Sequence, residues 1–128
     1  MREVLYILLA GGLGALGRYY TTGLAQRLLG EGFPHGTLIV NVLGSFILGF
    51  IMQASISTDL VPPSLRIALT IGFLGAFTTF STFSYETFGF IEDGSWLTAG
   101  VNILTNLVPG LIAVFSGVML GRALFGGA

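Results

Sequence analysis

The stretch Gly72-Phe-Leu-Gly75-Ala-Phe-Thr-Thr-Phe-Ser-Thr-Phe-Ser84 constrains this chain most, because it sets hydroxyls, phenyl rings and two glycines inside a segment apolar enough to lie in lipid. Lipid supplies no hydrogen-bond partners, so polarity at bilayer depth persists only where protein or a water-filled path satisfies it. The segment is therefore a candidate ion site. The Gly72-x-x-Gly75 spacing followed by Thr78 and Thr79 predicts that the helix unwinds here. Carbonyls freed by unwinding suit a cation, and the adjoining helix ends present positive dipole to an anion.

The surroundings of that stretch are as apolar as it is. Of 128 residues, 53% are hydrophobic and 9% charged, with a mean hydropathy of +0.89. A water-soluble domain of this size has no core large enough to hide that much apolar surface, which implies an all-α integral membrane protein. Four apolar blocks, at 4–25, 37–57, 66–90 and 96–122, each approach the roughly 20 residues that cross the hydrocarbon layer. Short Gly- and Pro-containing connections join them, so one four-helix transmembrane domain is expected over 1–128. The first block lacks a small-residue cleavage site after a short apolar run and is read as a retained span. No extramembrane domain is expected, which excludes most enzymatic chemistry. With no Cys and a net charge of −1, neither a thiolate metal site nor a nucleic-acid partner is indicated. His35, the one histidine, is read as a loop residue in a Phe-Pro-His-Gly turn.

Glycines within the spans allow close helix packing in lipid. Four helices can hardly surround a conduction path and also cover it, so self-association is expected. Arg2, Arg66 and Arg122 fall on one side, against Arg27 on the other, with no lysine. That bias is too weak to dictate one orientation, which permits an antiparallel dimer of chains inserted both ways up.

Polar residues recur at helical spacing in two further spans: Thr37, Asn41, Ser45, Gly49 and Gln53, then Thr98, Asn102, Asn106 and Gly110. Each set forms a stripe, either to cross-link helices or to line a path. Asn41 stands out because its amide carries two donors that can replace part of an anion's hydration. Arg18, within the first span, either snorkels or raises the local anion concentration in a vestibule. Its natural structural partner is Glu86, which is alternatively a conduction or proton-linked group. Phe73, Phe77, Phe80 and Phe83, spaced by four, three and three, read as one packing face. Alternatively Phe80 and Phe83 line a narrow passage with their electropositive ring edges. Pro109 is expected to kink or loosen the fourth helix.

These residues resemble the Fluc (CrcB) fluoride channel family in three places: Gly11-Gly-Leu-Gly-Ala-Leu-Gly-Arg18-Tyr19, Gly36-Thr-Leu-Ile-Val-Asn41, and Gly72 through Glu86 with its Thr-Thr-Phe-Ser-Thr-Phe-Ser string. The resemblance implies an antiparallel, dual-topology homodimer in the plasma membrane of a prokaryote, passively exporting fluoride through two pores along the subunit boundary. It further implies a central sodium ion held by the Gly75 and Thr78 backbone carbonyls, a broken third helix, and pore rings from Phe80 and Phe83. By the same likeness Asn41 is a pore amide, Ser81 and Thr82 are hydroxyl donors, and Arg18 is the vestibule cation. The chain departs from the family where Ala76 replaces a frequent glycine, and along the fourth span, where Asn106 is taken as the lining residue. A small proton-coupled exporter of hydrophobic cations shares the span count, but it needs a carboxylate where this chain has Arg18. A non-transporting assembly subunit leaves the hydroxyl-rich third span unmotivated.

Overall fold

Breaks in backbone chemistry set the helix ends in the computed structural model, which describes residues 1–126; the last two residues of the expected domain lie outside the described residues. Helix α1 (Arg2–Leu29) stops where Gly30 adopts φ 87°, a left-handed conformation that glycine reaches without a Cβ clash. Helix α2 (His35–Ser57) begins after Pro34, so His35 opens a helix instead of sitting in a turn. Its last turn is closed by Thr58, whose hydroxyl donates to the Ala54 carbonyl at 2.9 Å. Pro63 occupies the first position of α3 (Pro63–Ile67), where a missing N–H costs nothing. The chain then loosens into a π-helical stretch (Ala68–Leu74) and tightens again into α4 (Gly75–Phe77).

At Thr78 (φ −83°, ψ 158°) and Thr79 (φ −153°, ψ 118°) the backbone is extended. Helix α5 (Phe80–Glu92) starts immediately beyond, and α6 (Trp96–Phe125) follows a turn in which Gly94 has φ 75°. Pro109 lies inside α6, which is helical on both sides of it.

All the secondary structure among the described residues is helical. Three stretches, His35–Ser57, Pro63–Glu92 and Trp96–Phe125, are long and apolar enough to cross a membrane. The 28-residue α1 has the length but less apolarity, since it carries Arg2, Glu3, Arg18, Arg27 and the run Tyr19-Tyr-Thr-Thr22. The chain is a multi-pass membrane protein, and its burial pattern agrees with an apolar solvent. Asn102 is 0% exposed while Leu97 is 81% exposed, the reverse of what water would select.

Glycines set how closely the helices approach. A Cβ on Gly49 would collide with the Val114 carbonyl and one on Gly117 with the Phe46 carbonyl, so α2 and α6 meet backbone to backbone. Gly14 plays the same part for α1 against Phe73, and Gly44 for α2 against the Thr78 methyl. A small core of Val40, Leu74 and Phe77, flanked by Ile47, Ile51 and Phe73, lies under the π-helical stretch.

The phenylalanine stripe does not form one face. Phe73 and Phe77 stack at 5.6 Å and Phe77 is 5% exposed, whereas Phe80, beyond the break, is 78% exposed. Two extended residues reset the helical register, so a spacing that would align the rings on a continuous helix separates them here.

Gly49→Ala should therefore lower unfolding stability by about 1–3 kcal/mol, the usual cost of overpacking. Gly12→Ala, with nothing within 4 Å of its Cβ, should be near neutral. Thermal melts in detergent compare the two, and equal losses would contradict the close α2–α6 approach.

Candidate ion site at the helix break

The break is held by one side chain. Asn41, on α2, accepts the Thr79 N–H at its Oδ1 (2.8 Å) and returns its Nδ2 to the Thr79 carbonyl (3.0 Å). A side-chain amide has the donor–acceptor pair of a peptide group, so Asn41 takes the place of a missing backbone partner. The Thr79 N–H is thereby diverted from the Gly75 carbonyl, four residues back, that a continuous helix would give it.

The second hydrogen on Asn41 Nδ2 goes to Asn106 Oδ1 at 3.0 Å. Asn106 Nδ2 donates to the Asn102 carbonyl (3.0 Å) and Asn102 Oδ1 (3.2 Å), Asn102 Nδ2 donates to Thr87 Oγ1 (2.9 Å), and the Thr87 hydroxyl donates to the Phe83 carbonyl (2.8 Å). Backbone groups fix the direction of this chain. Reversing Asn41 would set oxygen against the Thr79 carbonyl, and reversing Asn106 would set oxygen against the Asn102 carbonyl.

The donors available to an anion can now be counted. Both Asn41 hydrogens are committed within the chain, and Asn106 turns its nitrogen to α6 and its oxygen to Asn41. Asn41 does not offer the spare N–H that its sequence position suggested, and Asn106, expected as a lining residue, has none to give either. The hydroxyls of Ser45, Thr70, Thr78, Ser84 and Thr87 all donate to carbonyls four residues earlier, at 2.6–2.9 Å. Ser81 and Thr82 differ. Thr82 Oγ1 accepts from Thr79 Oγ1 at 3.0 Å, which leaves its own proton unspent, and Ser81 has only a 3.4 Å contact to Thr79 Oγ1.

Asn41, Gly75, Thr78, Phe80, Phe83 and Asn106 all line one cavity of about 540 Å³, together with Ser45, Thr70 and Thr79. The structure thus brings six of the sequence-derived site residues together. The rings of Phe80 and Phe83 lie 5.7 Å apart at 52° to each other on its rim. Ser81 and Thr82 belong to the same first turn of α5 but are not among the lining residues.

Arg18 and Glu86 do not pair. Glu86 Oε1 accepts from Thr37 Oγ1 at 2.6 Å, and its Oε2 is buried without a partner. Their separate packing explains the difference: Glu86 faces α2 and a second cavity of about 380 Å³ that also holds Glu31, His35 and Asp93, while Arg18 lines neither cavity. His35 packs against Phe33 at 5.1 Å. Sequence reasoning passed over Thr79 and Thr87 as side-chain participants. For Thr79 the signal was present, since a threonine just before a helix is a strong N-cap; for Thr87 no local pattern announces the bond from Asn102.

The family model described as CrcB-like protein, Camphor Resistance (CrcB) matches residues 5–118. The fluoride-specific ion channel FluC of Geobacter sp. (strain M21) is 49% identical over 124 residues, covering 97% of this chain and 100% of that protein. Its counterpart in Geobacter metallireducens is 51% identical with the same coverage, and that of Dehalococcoides mccartyi (strain CBDB1) is 51% identical over 97% of this chain and 95% of its own length.

Asn41→Asp keeps the shape but presents oxygen to the Thr79 carbonyl or to Asn106 Oδ1. Stability should fall by about 1–3 kcal/mol, the cost of unmet buried polar groups. An unchanged melting temperature in detergent would contradict the clamp.

Proposed function

The chain belongs to the CrcB-like family, and from that premise we propose that it is a passive, fluoride-selective channel formed by two antiparallel copies in the inner membrane of a bacterium. Its relatives are named as ion channels, not enzymes, and fluoride is the ion in their names. The observation that carries the reading is the first turn of α5. There, the exposed ring of Phe80 and the half-buried ring of Phe83 stand beside the unspent hydroxyl proton of Thr82 and the exposed Ser81.

A small anion is costly to dehydrate, so a path through oil must replace its water with donors already aimed at it. Neutral O–H groups and electropositive ring edges do this without the deep trap a full countercharge would make. Arg18, half-buried on α1, supplies positive potential at a distance from the narrow part. Exposure of Phe80 on the single chain supports a second copy covering it, which would enclose the cavity beside α5 as a pore. A dual-topology pair relates the two cavities by a two-fold axis in the membrane plane. Four crossings require α1 to span as well, which the antiparallel arrangement presupposes.

The break also suits a structural sodium ion. Gly75 loses the Thr79 N–H to Asn41, and the extended Thr78 turns its carbonyl out of the helical ladder. Hard oxygen donors at a helix C-terminal end match a cation in charge and chemistry. The described residues contain no cluster of three His, Cys, Asp or Glu, so such an ion would rely on main-chain oxygen. Gly75 and Thr78 of one chain supply half a shell, and the same residues of a second copy would complete it. When bound, the ion would fix the two breaks to each other.

Proteoliposomes loaded with potassium fluoride or potassium chloride test the channel. Fast fluoride efflux with negligible chloride efflux is expected, and absence of fluoride efflux would contradict the reading. Phe80→Ile or Phe83→Ile should cut fluoride flux by at least about tenfold with assembly intact, about 1.4 kcal/mol of lost stabilisation in the pore; wild-type rates in both would remove the ring-edge role. Replacing sodium with a bulky organic cation during purification should lower dimer stability, and an unchanged melt would remove the sodium site.

A further inference from the structure

Thr79 borders the cavity but is only 8% exposed, and every bond its side chain makes runs along the first turn of α5. Its Oγ1 accepts the Thr82 N–H at 3.1 Å, the usual duty of a helix N-cap. The same atom also donates its proton to Thr82 Oγ1 at 3.0 Å. The second bond contributes nothing to capping. Its consequence is directional, since an oxygen that accepts from Thr79 has its own proton left to give elsewhere. Neighbouring hydroxyls lack this arrangement, because Thr78, Ser84 and Thr87 turn their protons back onto helix carbonyls. Thr82 would do the same toward Thr78 without a competing donor, as a threonine inside a helix commonly does.

Thr79 is in turn held by its backbone. Asn41 grips its N–H and carbonyl, so the side chain leaves the break at an angle set by α2. The polarity runs from a fixed backbone, through the buried hydroxyl of Thr79, to the half-buried one of Thr82, and chained hydrogen bonds strengthen one another in a low-dielectric setting.

We propose that Thr79 is a positioning residue for anion passage: by donating to Thr82 Oγ1 it turns the Thr82 proton outward and makes it a stronger donor to fluoride. The inference rests on the fluoride-channel reading and adds a residue that acts through Thr82, since its own proton is spent there. It separates two properties of Thr79, capping and proton donation, that substitutions can uncouple.

Thr79→Ser keeps both properties. Thr79→Asn keeps the cap, because asparagine is at least as good an N-cap as threonine, but its capping oxygen has no proton and instead accepts the Thr82 hydroxyl, turning that proton inward. Thr79→Val preserves the shape and loses both. The measurements are fluoride efflux from proteoliposomes across a range of fluoride concentrations, and the melting temperature of each variant in detergent. Thr79→Ser should match the wild type in both. Thr79→Asn should melt like the wild type yet conduct about five- to tenfold more slowly, the scale of one neutral hydrogen bond. Thr79→Val should lose both stability and flux. Wild-type flux in Thr79→Asn would overturn this inference alone, as would a slow Thr79→Ser, which would assign the effect to the methyl group. Wild-type vesicles that release no fluoride would overturn the channel reading and this inference together.

Discussion

The two-armed pairing of Asn41 with the Thr79 peptide is the interaction on which the rest of the structure depends. An extended pair of residues in the middle of an apolar helix strands backbone groups in lipid, each at a cost of several kcal/mol if unmet. Asn41 answers both polar groups of Thr79 with one side chain. Once the break is held, α5 begins with a capped first turn, Phe80 leaves the line of Phe73 and Phe77, and carbonyls at the end of α4 are released from the helical ladder. Removal of the clamp would let the helix close and carry every one of these features away.

The same economy governs which donors remain. Lipid forces each hydroxyl and amide in the bundle to find a partner, and most find one on their own helix or along the Asn41–Asn106–Asn102–Thr87 chain. A polar membrane interior is therefore usually silent toward ions, however many Asn, Ser and Thr it contains. What makes α5 different is that one oxygen, Thr82 Oγ1, is used as an acceptor and not as a donor. Selective anion passage on this account depends on the directions of hydrogen bonds more than on the number of polar residues.

The all-helical character and the extended pair at Thr78 and Thr79 were legible, because both follow from local properties: apolar runs of spanning length, and a Gly-x-x-Gly before paired threonines. Helix α1, however, is less apolar than the spanning block expected there. Spacing offered Asn41, Phe80, Phe83 and Asn106 only as separate candidates, and it was the family resemblance that grouped them; in the fold all four line one cavity. Three things were not legible. The orientation of the Asn41 amide depends on the Thr79 peptide and on Asn106, which other parts of the chain bring to it, so the spare donor expected of it is spent in the fold. The phenylalanine spacing assumed an unbroken helix, although the break was itself expected. The Arg18–Glu86 pairing rested on charge alone, whereas helix packing gave Glu86 to Thr37.

The central claim is that uncharged hydroxyl protons and phenyl edges at the start of α5 receive the ion. Magic-angle-spinning NMR of the protein in lipid, with fluoride present and carbon-13 in the side chains, measures ¹⁹F–¹³C dipolar dephasing directly. The account predicts dephasing at the Ser81 and Thr82 Cβ atoms and at ring carbons of Phe80 and Phe83. Dephasing confined to the Asn41 and Asn106 carboxamides, or to the Arg18 guanidinium, would contradict it.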